Sequence, residues 1–124
     1  MTDWAILGAV AIGLLWAGVH FFVGGRQVAR PLRVADLPDV VHVTAWMCWH
    51  MVSAILVTAP ALALIGYITG GTDWLMAALV INAAIAIAGI AAKFVLRTPW
   101  SLLPQGLLFL PVVALLAFAM AAMA

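Results

Sequence analysis

Four apolar runs, residues 4–23, 40–67, 74–96 and 102–123, take up almost the whole of this 124-residue chain. That feature leaves few folds open. Each run reaches the ~20 residues that a helix rising ~1.5 Å per residue needs to cross ~30 Å of hydrocarbon. Only helices and closed barrels satisfy their own backbone hydrogen bonds in lipid, and the runs lack the alternation of barrel strands. With 69 % hydrophobic and 7 % charged residues, the chain lies well outside the range of soluble globular domains. The expected fold is an all-α membrane protein, an antiparallel four-helix transmembrane bundle with short connections, forming one domain over residues 1–124.

The basic residues set an expected orientation. Arg26, Arg30 and Arg33 lie between the first two runs, and Lys93 and Arg97 lie at the third connection. With four spans these two connections share a side, which the positive-inside rule makes cytoplasmic. The opposite side carries Asp3 and the turn Gly70-Gly71-Thr72-Asp73, so both termini are expected to be periplasmic. The corresponding location is a bacterial inner (plasma) membrane, crossed several times. No basic stripe of the kind that tracks phosphates is present, so nucleic acid is not an expected partner; the lipid bilayer is. Cys48 is the single cysteine and lies in an apolar run, which excludes an internal disulfide. The opening Met-Thr-Asp-Trp has Asp3 where a signal peptide carries Lys or Arg, so the first run reads as a retained helix.

Local signals refine the picture. Pro31 and Pro38 are expected to keep residues 24–38 from forming a continuous helix, and Pro60 and Pro111 to bend the helices that contain them. Thr72 or Asp73 reads as an N-cap for the third helix. Small residues recur every fourth position at Ala9, Gly13 and Ala17, at Ala84, Ala88 and Ala92, and at Ala117, Ala121 and Ala124. Such rows let helix backbones approach closely in lipid.

The second run holds the densest chemistry: Asp39, His42, Trp46, Trp49, His50 and Ser53 share one broad helical face. Ionisable groups in hydrocarbon normally face a bundle interior, so this face is expected to point inward. Counted from Asp39 at the interface, His42 would sit ~4–5 Å deep and His50 ~16 Å deep. His20, one turn from the end of the first run, would be level with His42. Lys93 and Gln105 would lie about one turn inside the third and fourth helices on the same side. Asn82, ~12 Å from the start of its helix, lies at a depth between those of His50 and Ser53, and a buried His50 is expected to bond Asn82, Ser53, water or a ligand. The candidate pocket and interior polar groups are therefore His20, His42, Trp46, His50, Asn82, Lys93 and Gln105, with a ligand expected in the cytoplasmic half.

Three functions fit this pattern. Inward polar groups can serve as interhelical glue in an accessory or structural subunit, working by self-association or within a larger membrane complex. They can hold b-type haem, a quinone or a metal. A two-histidine haem site would use His20 with His42, and His42, Met47, Cys48, His50 and Met51 include copper-type ligands, though these point around much of the helix. They can also line a small transporter or channel. In size the chain looks like the small multidrug resistance transporters, but those depend on a carboxylate within the first helix, and here only Asp3 lies at its edge. The glue reading is favoured, no cofactor is favoured over none, and catalysis is not expected, because Ser53 and Ser101 have no triad in view and no phosphate-binding Gly loop exists. Arg30-Pro31-Leu32, Asp36-Leu37-Pro38, Trp49-His50 and the segment beginning Gln105-Gly106 resemble features of small uncharacterised four-span bacterial inner-membrane proteins. The resemblance runs end to end, implies bacterial origin and four spans, and implies no activity.

Overall fold

In the computed structural model, residues 2–123 are described, and their regular structure is entirely helical. Among the described residues, three helices are long and apolar enough to cross a membrane: the first at Asp3–Val34, the second at Asp39–Thr69 and the third at Thr72–Val95. The fourth, Gln105–Ala121, is shorter. It is interrupted at Phe109, between Gln105–Leu108 and Leu110–Ala121. Pro111 explains the break, since it has no N–H to bond the Leu107 carbonyl. The expected span 102–123 is thus shortened at its start. Leu102 and Leu103 instead close a turn on the Pro99 carbonyl, at 3.0 and 3.2 Å.

The first helix corrects the expectation that residues 24–38 avoid continuous helix. It runs eleven residues past the expected end of the first run, to Val34. His20–Ala29 form a π-helical stretch, closed by the Arg30 N–H on the Gly25 carbonyl. A proline ring in an α-helix collides with the carbonyl four residues back, and the wider π turn just before Pro31 relieves that collision. The chain leaves the helix only at Ala35, where ψ becomes 135°, and Pro38 then precedes the second helix in extended backbone. Of the two prolines, Pro38 is the one that breaks.

The second helix passes through Pro60 and ends at Gly70, whose φ of 68° is the left-handed cap that glycine adopts without a Cβ penalty. Gly71, rather than Thr72 or Asp73, precedes the third helix, and no side chain caps that terminus. The third helix ends on Arg97 at φ 52°, with the Thr98 N–H bonded to the Lys93 carbonyl and the Arg97 N–H to that of Phe94, both at 3.2 Å. This is a Schellman closure with arginine where glycine is usual.

The helices pack as a closed ring in which the first and third each contact the second and fourth. Between the first and second helices, Gly13 meets Pro60 and Gly24 meets Trp49. Between the first and fourth, Trp4 lies 5.5 Å from Phe118, Gly8 faces Leu115, and the Trp16 indole reaches Leu108. In both pairs residue numbers rise on one helix as they fall on the other. The interior is built largely of small residues: Ala5, Ala9, Gly13 and Ala17, then Ala59, Ala63 and Gly66, then Ala78 and Ala86. Two larger side chains, Leu75 and Leu116, are fully enclosed. Leu75 fits because Gly66 lacks a side chain; a Cβ there would stand 2.8 Å from Leu75 Cδ2.

The row Ala9, Gly13, Ala17 is buried within the bundle. The other two rows are not. Ala84 and Ala88 are exposed, and the third helix buries Ala78, Asn82 and Ala86, a row offset by two positions. Ala117 and Ala121 are exposed while Val112, Leu116 and Ala119 are buried; Ala124 lies outside the described residues. A four-residue period marks every such row on a helix, so it cannot select which one faces inward.

Candidate ligand-binding site

A cavity of about 560 Å³ opens between all four helices on the side of the basic connections. Its walls come from residues 16–28 of the first helix, 49–56 of the second, 85–89 of the third and 101–109 leading into the fourth. Two contacts fix the far wall. A Cβ on Gly89 would lie 2.7 Å from Gly106 Cα, and one on Gly106 would lie 2.5 Å from the Ile90 nitrogen, so the two backbones touch directly. The Trp16 indole N–H donates to the Leu108 carbonyl at 2.8 Å, beside the break caused by Pro111. Trp16, Ile55, Leu56, Ile85, Leu108 and Phe109 make the lining mainly apolar, and His20, Gln27, Ser101 and Gln105 supply its polar groups.

One hydrogen-bonded unit is built into this wall. Ser53, buried on the second helix, donates its hydroxyl to the Trp49 carbonyl one turn back at 2.9 Å. His20 Nε2 lies 2.9 Å from the same Ser53 oxygen. The hydroxyl has a single proton, so both contacts are hydrogen bonds only when Nε2 carries a hydrogen and donates it to Ser53. Nδ1 is then left without a partner among the described residues. The His20 ring stacks on Trp49, with centroids 4.0 Å apart and planes 18° from parallel. Gly24, one turn on from His20, leaves room for that indole: a Cβ would be 2.9 Å from Trp49 Cη2. His20, Trp49 and Ser53 thus hold one another in place. A Ser–His contact of this length is what nucleophilic catalysis uses, but Ser53 sits behind His20, outside the cavity wall, with its proton committed to Trp49.

Of the candidate residues, His20 and Gln105 line the cavity. Asn82 is buried, but its amide bonds its own helix, at the Ala78 carbonyl 2.8 Å away, rather than His50. His50 is exposed, contrary to expectation, and stands edge-on to Trp46 with centroids 4.7 Å apart. Lys93 lies outside the cavity, its Nζ 4.5 Å from the Phe94 ring centre and 4.8 Å from that of Trp100. His42 and Trp46 do not reach the cavity either. His20 is level with Ser53, and His42 lies eleven residues, ~16 Å, along the second helix from Ser53. The two histidines are therefore not brought together as a haem pair would require. The physical reason is that the first helix continues eleven residues past Val23, to Val34, which carries His20 deeper than an end at Val23 would.

Met47, Cys48, His50 and Met51 are all exposed, and among the described residues no three His, Cys, Asp or Glu side chains gather as a metal site. The site also contains Trp16, Gly24 and Gln27, which the sequence did not single out. Trp16 carried a usable signal, because an indole N–H in mid-helix must find an acceptor. Compared with protein-family models, curated proteins and solved structures, the chain matches none.

Proposed function

We propose that this chain is a small multi-pass protein of a bacterial inner membrane, an antiparallel four-helix bundle with both termini periplasmic, and that it holds an apolar small molecule in the cavity beside His20. The observation that carries the reading is the cavity itself. Its ~560 Å³ lies within the range of small-molecule sites, its walls come from four helices, and a few convergent polar groups sit on an apolar lining. The role is that of a ligand-holding accessory subunit rather than an enzyme.

Aromatic residues support a position in the bilayer. Trp4, Tyr67 and Trp74 lie at one end of the bundle, and Trp46 and Trp100 with Lys93 at the other. Tyr67 to Trp46 is 21 residues, ~31 Å, and Trp74 to Lys93 is 19 residues, ~28 Å. Both match the hydrocarbon thickness between interfacial aromatic belts. On this placement the first two helices extend beyond the hydrocarbon on the basic side. His50 lies within about one turn of the boundary, which accounts for its exposure. His20 and Ser53 lie ~10 Å inside the boundary, and the cavity occupies the cytoplasmic half.

Native mass spectrometry of protein released from its own membrane tests the reading, with Ala88→Trp as a variant that fills the cavity. A small molecule retained by the parent and lost from the variant supports it; retention unaffected by the substitution, or none in either protein, refutes it. Reporter fusions test the orientation: periplasmic behaviour is expected at the C-terminus and cytoplasmic behaviour after Arg33.

A further inference from the structure

We infer that the molecule held in the cavity presents a hydroxyl that donates its hydrogen to Nδ1 of His20. The inference rests on the cavity-binding reading and adds the chemical class of the ligand. It follows from the order of hydrogen bonds behind the wall. The Trp49 carbonyl can only accept, so the Ser53 hydroxyl is the donor at 2.9 Å. With its one proton spent, Ser53 can only accept from His20 across the second 2.9 Å contact. A neutral imidazole carries one N–H, so fixing it on Nε2 leaves Nδ1 a bare lone pair. Among the described residues Nδ1 has no hydrogen-bond partner and Thr98 Oγ1 is the one enclosed side-chain polar atom without one, so Nδ1 is not fully enclosed. His20 itself lines the cavity.

The imidazole cannot turn freely to offer its other edge. Stacking on Trp49 at 4.0 Å holds its plane, and a flip would give up the bond to Ser53. A ligand carbonyl or ether oxygen placed here would meet a second lone pair, whereas an alcohol or phenol would complete the chain ligand O–H to Nδ1, Nε2–H to Ser53, Ser53 O–H to Trp49. The rest of the ligand must be apolar, since it lies against Trp16, Ile55, Leu108 and Phe109. At ~30 Å³ for a water-sized group, the cavity accommodates roughly 15–20 non-hydrogen atoms. A phenolic ring with a short alkyl tail and the glycerol end of a lipid share this chemistry.

The test uses the full chain in lipid nanodiscs and two probes, 4-nonylphenol and its methyl ether, in which a methyl group replaces the hydroxyl hydrogen. Fluorescence of the cavity tryptophans is read against empty discs. The phenol is expected to bind about three- to ten-fold more tightly than the ether, the range for one hydrogen bond. His20→Phe, which keeps an aromatic ring on Trp49, is expected to abolish that preference. Equal affinity for the two probes, or a preference that survives in His20→Phe, overturns the inference and leaves the cavity reading standing. Binding of neither probe overturns both. Where the variant does not accumulate, ¹⁵N spectra of His20 in the parent decide. A hydrogen on Nε2, and an Nδ1 resonance moved by the phenol but not by the ether, support the inference; a hydrogen on Nδ1 overturns it. Mass spectrometry of the molecule retained from the native membrane separates the two sources: a phenol or a lipid alcohol agrees, and a species without an O–H overturns the assignment.

Discussion

Alanine at Gly106 should destabilise this protein even though alanine is the better helix former. Gly106 lies in the first turn of the fourth helix, where exchanging glycine for alanine ordinarily stabilises by about 0.5–1 kcal/mol. Here the added methyl would stand 2.5 Å from the Ile90 nitrogen, 2.8 Å from the Gly89 carbonyl carbon and 2.8 Å from Ile90 Cγ1. Two of those atoms are backbone in the third helix and cannot turn away. Restoring ordinary carbon contact at about 3.5 Å requires the fourth helix to retreat by roughly 1 Å. Overpacking of this kind costs about 1–3 kcal/mol, and the helix-propensity gain offsets only part of it, so the net loss should be about 1–2 kcal/mol. Gly18 is the matched control: it is helical, and a Cβ there meets nothing within 4 Å, so Gly18→Ala should stabilise by about 0.5 kcal/mol or more. Reversible unfolding in mixed micelles, followed by tryptophan fluorescence, gives both values. The two substitutions should differ in sign. If Gly106→Ala stabilises as much as Gly18→Ala does, the direct backbone contact is wrong, and with it the wall that holds Gln105 and Leu108 against the cavity. Gly89→Ala probes the same contact from the other side, so the double variant should cost less than the two single losses together.

Three further outcomes are expected. Trp16→Phe keeps the aromatic bulk but leaves the Leu108 carbonyl without its indole donor, and should cost about 0.5–1.5 kcal/mol in the same unfolding assay; a neutral result would remove that bond from the account. Arg97→Gly relieves a left-handed backbone at φ 52°, and should raise stability by about 1 kcal/mol, whereas a loss would show that the arginine side chain matters more than its backbone. His50→Leu should change stability by no more than about 0.5 kcal/mol, because His50 is exposed and makes no side-chain hydrogen bond among the described residues; a loss above 2 kcal/mol would return it to the interior.

Much of the architecture was legible in the residues. The apolar runs announced four membrane spans, and among the described residues there are four helices, three of them long and apolar enough to cross a membrane; the row Ala9, Gly13, Ala17 is buried because its period and phase agree. Of the residues singled out, His20 and Gln105 line the cavity and Asn82 is buried. What failed was depth and facing. Pro31 reads locally as a helix breaker, and only the π-helical register before it shows why the helix continues, which moves His20 from the level of His42 to that of Ser53. Likewise Ala84, Ala88 and Ala92 carry the same spacing as the buried row beside them, and nothing local separates the two.

Hydrophobicity and chain length act residue by residue, so the sequence alone determined that the chain is helical, how many helices it makes, and that its charged residues lie outside or at the ends of the apolar runs. Facing and contact depend on residues far apart in the chain. The stacking of His20 on Trp49, the backbone contact of Gly89 with Gly106, and the proton order through Ser53 exist only once helices separated by 17 to 92 residues lie side by side, as the 92-residue reach from Trp16 to Leu108 illustrates. Those tertiary approaches, decided by which neighbour has a side chain small enough to admit the other, made the cavity.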